Sequence, residues 1–257
     1  MKDTGSRRAD DLVDKDRLIE ELREVVRARD EFVAIAAHEL RNPMTPILLQ
    51  VDILLAAVRN PDRCRPEVMT PKVELLQAAV KDFVQRSTML LDVSRIAAGN
   101  LRIEPAEVDL SALARGVVDR MAIAAHRARC RIEIKLQEGI IGIWDPLALE
   151  QIAENLLSNA IKFGAGKPVT ITLHSDGLTA RLAVRDHGIG ISEEDSARVF
   201  QRFEQAVGSR EHGGFGIGLW VTNQLVQAMD GTISIESTPG EGTTFTVALP
   251  VDAGGQQ

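Results

Sequence analysis

PLALEQIAENLLSNAIKF, residues 146–163, reads as a helix with two characters. Asn155, Asn159 and Lys162 recur at i, i+4 and i+7 and share one face, while Leu156, Leu157, Ala160 and Ile161 face elsewhere and can pack. On either side the chain alternates. Short β-like runs (Arg131–Leu136, Val169–His174, Thr179–Arg185, Thr232–Ser237, Thr243–Leu249) are interleaved with helical segments (Leu110–Arg127, Ser192–Phe203, Gly216–Met229). Strands and helices mixed in this way imply an α/β sandwich. Thr238-Pro239-Gly240-Glu241-Gly242 joins the last two strands and carries the turn chemistry of a hairpin.

The first hundred residues follow a different rule. Leu12, Ile19, Val26 and Val33 fall seven apart with Leu22 between them, so a short parallel coiled coil is expected over about Asp10–Arg29, its seam interrupted by Lys15 and Arg29. A long helix should follow, from about Asp30 to Arg59, burying Ile47, Val51, Leu54, Leu55 and Val58. Asn60–Pro71 holds three prolines and is the expected break, with Thr70 as N-cap and Pro71 at the first position of a second helix. That helix carries Leu76, Ala79, Val80, Phe83, Leu90 and Ile96 and should end at Ala98-Gly99-Asn100, with Gly99 at the left-handed C′ position. Two helices cannot enclose a core alone, so the hairpin is expected to form a four-helix bundle by dimerising. The domains then run 1–29 (coiled coil), 30–100 (helical hairpin), 101–250 (α/β sandwich) and 251–257 (tail).

Composition narrows the function. The chain has 257 residues, 44% hydrophobic and 26% charged, with 4% aromatics and no Tyr, so its cores must be aliphatic. A formal net charge of −7 argues against a nucleic-acid binder that relies on phosphate neutralisation. Cys64 and Cys130 show no metal-ligand spacing, the pattern of a reducing compartment. No apolar run approaches the ~20 residues of a membrane span, and the charged N-terminus is unlike a signal peptide. The expectation is a cytoplasmic chain, whole or as the cytosolic end of something longer.

Four segments carry chemistry. In Phe32-Val-Ala-Ile-Ala-Ala-His38-Glu39-Leu-Arg-Asn42-Pro43, a helix presents His beside Glu and then meets Pro43, whose ring crowds the carbonyl of Glu39. A kink is expected just below His38, which projects roughly 160–220° away from the apolar stripe. Neutral imidazole can attack through one nitrogen while the other gives its proton to Glu39. A His-Glu pair alone is an ordinary surface feature. The amide oxygens of Asn155 and Asn159 can complete the shell of a Mg²⁺ held by a triphosphate, and Lys162 can meet phosphate charge. Asp186-His187-Gly188-Ile189-Gly190 follows a strand, where a carboxylate can accept from an adenine amine and glycines let backbone approach the base. Gly213-Gly214-Phe215-Gly216-Ile217-Gly218-Leu219 opens a helix, and unpaired N–H groups there suit an anion. Gln201–His212 before it reads as a mobile lid.

Together these segments resemble the sensor histidine kinases of two-component systems, over nearly all of Asp30–Pro250. The H-box is similar to Phe32–Pro46, the N-box to Glu150–Phe163, the G1 box to Asp186–Gly190, the F-box to Val199–Phe203 and the G2 box to Gly214–Leu219. Gly242-Thr243-Thr244-Phe245 resembles the terminal Gly-Thr element. The resemblance implies an ATP-binding fold shared with gyrase, a heat-shock chaperone and mismatch-repair ATPases. It implies ATP and Mg²⁺ as cofactors, with Asn159 and Asn155 at the metal, Lys162 on phosphate and Asp186 on adenine. Phe163, Gly188, Gly190, Leu219 and Thr244 would line the nucleotide site, Gly214, Gly216 and Gly218 its phosphate loop, and Arg202 and Arg210 would reach the terminal phosphates. His38 would be the phosphorylated residue and Glu39 its acidic partner. Asn42 matches the position that places a water for dephosphorylating the partner protein. The implied partners are a second copy of the chain, a response-regulator receiver domain, and an upstream sensor not visible in the sequence. His187 stands where Asn is common, Phe163 where Tyr is frequent, and Ala148 where a basic residue often precedes the N-box. A non-catalytic phosphotransfer scaffold would have no need of Asn159, Asp186 and the glycine loop. A chaperone or DNA-machine ATPase would have no need of the His38 helix, and a phosphatase remains compatible with Asn42.

Overall fold

A computed structural model of the chain describes residues 23, 26, 27, 33, 36, 37, 40–59, 65–97, 99–164, 166–204 and 216–251. The expected coiled coil, apart from helical residues at 23, 26 and 27, and the tail beyond residue 251 lie outside them. The chain divides into two compact units, Met1–Leu90 and Leu91–Gln257. Among the described residues no helix is long and apolar enough to cross a membrane.

The first unit is helical. Helix α1 is continuous over residues 40–58, so neither Pro43 nor Pro46 ends it, and Pro43 is buried. Ile47, Val51 and Leu54 are half-buried and Ala57 is buried. Leu55 and Val58, expected on the same stripe, are instead 51% and 58% exposed. At about 100° per residue they fall on the flank of that stripe, and a hairpin gives each helix only one neighbour to cover it. Helix α2, Pro66–Ala97, starts earlier than expected. Pro66 takes the first helical position, where its missing N–H has no partner to lose, and Arg65 O accepts from the amides of Val68 (3.0 Å) and Met69 (2.9 Å). Pro71 is therefore carried inside the helix and Thr70 is not its cap. Beyond Ala97 the expected cap is present. Gly99 has φ +69°, and the amides of Gly99 and Asn100 close on Ile96 O (3.0 Å) and Arg95 O (2.8 Å).

The second unit is an α/β sandwich. Strands β1 (Ala106–Asp109), β2 (Ile132–Leu136), β3 (Ile141–Trp144), β4 (Val169–Ser175), β5 (Thr179–Arg185), β6 (Thr232–Thr238) and β7 (Gly242–Pro250) are interleaved with α3 (Leu110–Arg127), α4 (Pro146–Phe163), the single turn α5 (Glu193–Ser196) and α6 (Gly218–Ala228). Five strands form one sheet in the order β2-β4-β5-β7-β6, and β1 pairs with β3 in a separate ribbon. Among the described strands only β2–β4 is parallel. Alternation along the strands sends one face inward. Ile171, Val184 and Phe245 lie in one row across β4, β5 and β7, and Leu173, Leu182 and Val247 in the next. In the helical layer α4 buries Ile152, Ala153, Leu156 and Leu157, α3 buries Ala114 and Val117, and α6 buries Val221 and Val226. Each fully buried aliphatic side chain stabilises the unit by about 1.5–3 kcal/mol.

Two expected helices are shorter than their sequence windows. After α5, which Ser192 caps by accepting from the Asp195 amide at 3.1 Å, the chain continues in turns to Phe203 rather than as helix. Phe203 sits at φ +65° and spends its N–H on Gly216 O at 2.9 Å. The same bond keeps Gly216 out of α6, which begins at Gly218.

Candidate functional site

Helix α4 is the platform. Asp145 caps it, accepting from the amides of Leu147 (2.9 Å) and Ala148 (3.0 Å) and from Glu104 N–H (2.9 Å). Arg120 on α3 reaches Glu154 at 2.9 Å and Glu150 at 3.2 Å, securing the polar flank of α4 from outside. Asn155 is 7% exposed and Asn159, one turn on, is half-buried. Lys162 lies 4.8 Å over the ring of Phe163 at the end of the same helix. Asn155 and Asn159 offer neutral amide oxygens, ligands suited to a hard cation such as Mg²⁺. Among the described residues no group of three or more His, Cys, Asp or Glu could hold a metal.

Asp186 stands at the end of β5 and is 5% exposed. Its Oδ1 accepts from Gly188 N–H at 2.8 Å, and its own N–H donates to Thr243 O at 2.9 Å. Burial pushes its carboxyl above the usual aspartate value, against amide donations from Gly188 and Thr243 that pull it down. The G1 loop is pressed onto the last turn of α4: a Cβ on Gly188 would fall 1.8 Å from Phe163 O and 2.9 Å from Gly164 Cα. Only a residue without a side chain allows that approach. On its other side Gly190 lies against Thr238 O, and Gly240 N–H donates to Ile189 O at 2.7 Å, joining the loop to the β6–β7 hairpin. Thr244 pairs with Arg185 and Glu236 on the neighbouring strands.

The third wall is α6. Gly218 packs on Asn155, since a Cβ there would lie 2.4 Å from Asn155 Oδ1. One turn along, Thr222 Oγ1 accepts from Asn155 Nδ2 at 2.8 Å. The F-box flanks this wall: Phe200 meets Phe245 edge-on with centroids 6.2 Å apart, and the Arg202 guanidinium lies 4.2 Å over the Trp220 ring. Gly216 abuts Glu204 O, and Leu219 is half-buried.

The expected residues thus fall into three groups. Asn155, Asn159, Lys162 and Phe163 lie along α4, with Gly218 against Asn155, Gly188 against Phe163 and Asp186 bonded to Gly188, while Gly190, Arg202, Gly216, Leu219 and Thr244 lie on the flanking loops, strand and helix start. Asn42 is exposed on α1, in the other unit. His38, Glu39, Arg210 and Gly214 lie outside the described residues. Sequence reasoning did not single out Thr222, Trp220 or Asp145. For Thr222 a signal existed, because it lies four residues after Gly218 and so shares its helix face.

Two known protein families match parts of the chain. Residues 28–99 match the His Kinase A (phospho-acceptor) domain. Residues 144–253 match the Histidine kinase-, DNA gyrase B-, and HSP90-like ATPase. The chain belongs to the sensor histidine kinases. Both domains are those of a protein-histidine kinase, and the second is of an ATP-using class. Sensor protein EvgS of Escherichia coli O157:H7 is 32% identical over 232 residues, covering 88% of this chain and 19% of that protein. Virulence sensor protein BvgS of Bordetella bronchiseptica is 36% identical over 236 residues, covering 87% of this chain and 18% of that protein. The kinase chain therefore spans less than a fifth of the length of these two relatives. Among solved structures, full-length ShkA in complex with AMPPNP superposes with TM-score 0.60 at 26% identity, covering 86% of this chain and 46% of that one.

Proposed function

We propose that this chain transfers the γ-phosphoryl group of ATP to His38 and passes it on to an aspartate of a response-regulator receiver domain. The observation that carries the reading is the packing of the G1 loop and the start of α6 against α4, within a chain whose residues 28–99, His38 among them, match a phospho-acceptor domain. Asp186 accepts from the adenine amine, and the glycines at 188 and 218 let the G1 loop and α6 close onto α4 beside base and phosphates. Asn155 and Asn159 fit a Mg²⁺ shared with the triphosphate, and Lys162 adds a positive charge at the same end of α4. AMPPNP bound to ShkA supports a nucleotide in the corresponding domain here. Magnesium, when bound with the nucleotide, supplies charge neutralisation on the transferring group.

At the acceptor, one imidazole nitrogen of His38 forms the N–P bond as the bond to the β-phosphate oxygen breaks and ADP leaves. Glu39 takes the proton from the other nitrogen. Positioning carries most of the catalysis, because phosphoryl transfer asks little covalent chemistry of the protein. Asn42, one turn beyond His38, orients a water for removing phosphate from the receiver. Met44, Leu48, Leu55 and Val58 on α1 and Val73, Val80, Val84 and Leu91 on α2 are exposed in the single chain. Covering them in a homodimeric four-helix bundle accounts for that surface.

The test is incubation of the purified chain with radiolabelled ATP and Mg²⁺. Acid-labile, base-stable label that is lost in His38→Gln and in Asn159→Ala supports the kinase. Label surviving in His38→Gln removes His38 as acceptor. Phosphorylated receiver incubated with Asn42→Ala tests the reverse activity, which should fall while autophosphorylation persists.

A further inference from the structure

The segment that carries Asp186 is held at both ends by one cross-strand pair. Ser237, near the end of β6, lies directly opposite Thr243 on β7. At the front of the segment, Asp186 N–H donates to Thr243 O at 2.9 Å. At its far end, Ile191 N–H donates to Ser237 Oγ at 2.8 Å. Between these points Gly240 N–H donates to Ile189 O at 2.7 Å. The two backbones are also pressed together: a Cβ on Gly190 would lie 2.1 Å from Thr238 O, and one on Gly242 2.1 Å from Asp186 O. The β6–β7 hairpin therefore backs the G1 loop from Asp186 to Ile191.

Two of these three hydrogen bonds are made by backbone alone; the third needs the Ser237 hydroxyl. Its direction is fixed, because a peptide N–H can only donate. The hydroxyl's own proton has Gly242 O at 3.1 Å and Thr243 Oγ1 at 2.8 Å within reach. Either choice ties Ser237 to the start of β7 and leaves its oxygen able to accept from Ile191. Thr243 is 4% exposed, so the anchor is set in the core and not at the surface. We infer that Ser237 is a positioning residue for base recognition, whose hydroxyl fixes the Ile191 end of the G1 loop and with it the place of Asp186. This rests on the reading of Asp186 as acceptor of the adenine amine. Without that anchor the loop samples other arrangements, and a base that requires one of them binds more weakly by the fraction of time it is present.

The experiment compares Ser237→Ala, which removes the acceptor, with Ser237→Thr, which keeps it. Binding of AMPPNP and of GMPPNP to the full chain is measured by calorimetry in Mg²⁺. GMPPNP discriminates, because guanine carries a carbonyl where adenine carries its amine and gains nothing from a well-placed carboxylate. Ser237→Ala should lower AMPPNP affinity roughly tenfold, the scale of one amide left without its acceptor. GMPPNP affinity should not change, so the preference for adenine shrinks by the same factor, and Ser237→Thr should restore it. Hydrogen exchange of the Ile191 amide, slow in wild type and in Ser237→Thr, should become fast in Ser237→Ala. An unchanged preference in Ser237→Ala, an equal loss for both nucleotides, or no rescue by Ser237→Thr overturns the positioning role. A wild-type chain that binds GMPPNP as tightly as AMPPNP overturns the adenine reading itself, a result independent of the variants.

Discussion

Adding one methyl group at Gly188 should abolish nucleotide binding while leaving the domain folded. In Gly188→Ala the new Cβ would lie 1.8 Å from Phe163 O, 2.6 Å from Phe163 C and 2.9 Å from Gly164 Cα. All three are backbone atoms at the end of α4, so no side chain can swing away. An ordinary carbon–oxygen contact is about 3.3 Å, so the loop must retreat by roughly 1.5 Å. Gly188 N–H now donates to Asp186 Oδ1 at 2.8 Å, and a retreat of that size breaks the bond. Overpacking of this kind costs about 1–3 kcal/mol, or roughly 3–10 °C in melting temperature for a domain of this size. Binding should suffer more, because a misplacement of about 1 Å in a positioning group costs on the order of 100-fold. Calorimetry with AMPPNP and a thermal melt read the two effects separately. Gly116→Ala is the control: its Cβ meets nothing closer than Arg120 Nη1 at 3.6 Å, and inside α3 it should raise stability by about 1 kcal/mol with binding unchanged. Affinity of Gly188→Ala within threefold of wild type, with an unshifted melt, would refute the steric reasoning.

Three further outcomes are expected. Asp186→Asn should lose nucleotide affinity and yet melt higher at neutral pH, since burial disfavours the ionised carboxyl. The folded protein holds that proton more tightly than the unfolded chain, so the penalty grows as pH rises through the raised value. Below it the acceptor is protonated, and wild-type affinity measured across a pH series should fall on acidification before an ordinary aspartate would titrate. Arg202→Met should free Trp220 of its cation, a contact of about 0.5–1 kcal/mol at an exposed site, and change its fluorescence in a Trp144→Phe background. Asp145→Ala should lower stability by about 2 kcal/mol, because three backbone N–H groups lose their acceptor, and Asp145→Ser should recover most of it in the same melt.

The parts of this fold visible in the sequence are those where local periodicity and tertiary packing agree. Strand β5 and helices α3 and α4 coincide with their sequence windows because each buries one regular face. Strands β1 and β3 were not legible. Each is four residues long, and β3 contains Gly142, which reads as a break but makes way for the Trp144 ring folded over it. Pro71 read as a helix start because a proline inside a helix is costly, whereas Pro66 supplies the start five residues earlier. The end of the expected Ser192–Phe203 helix was lost to a long-range bond, Phe203 N–H to Gly216 O. At the site, residue types at fixed spacing revealed Asn155, Asp186 and the glycines. The Thr222–Asn155 bond joins residues sixty-seven apart, a pairing that no window along the chain reports.

Strand β7 lies between β5 and β6 although it comes last in the sequence, and Trp144 Nε1 donates to Pro250 O at its very end, 2.9 Å away. During synthesis the sheet therefore cannot close from one side to the other as it emerges. Strand β5 is complete at Arg185 but waits for its partner until Pro250 has been added, which at about 5–20 residues per second takes several seconds. For that interval α4, with its asparagines, has no finished sheet to rest on. A released chain truncated after Glu241 should leave unpaired both the β5 and the β6 edges that β7 covers in the full chain.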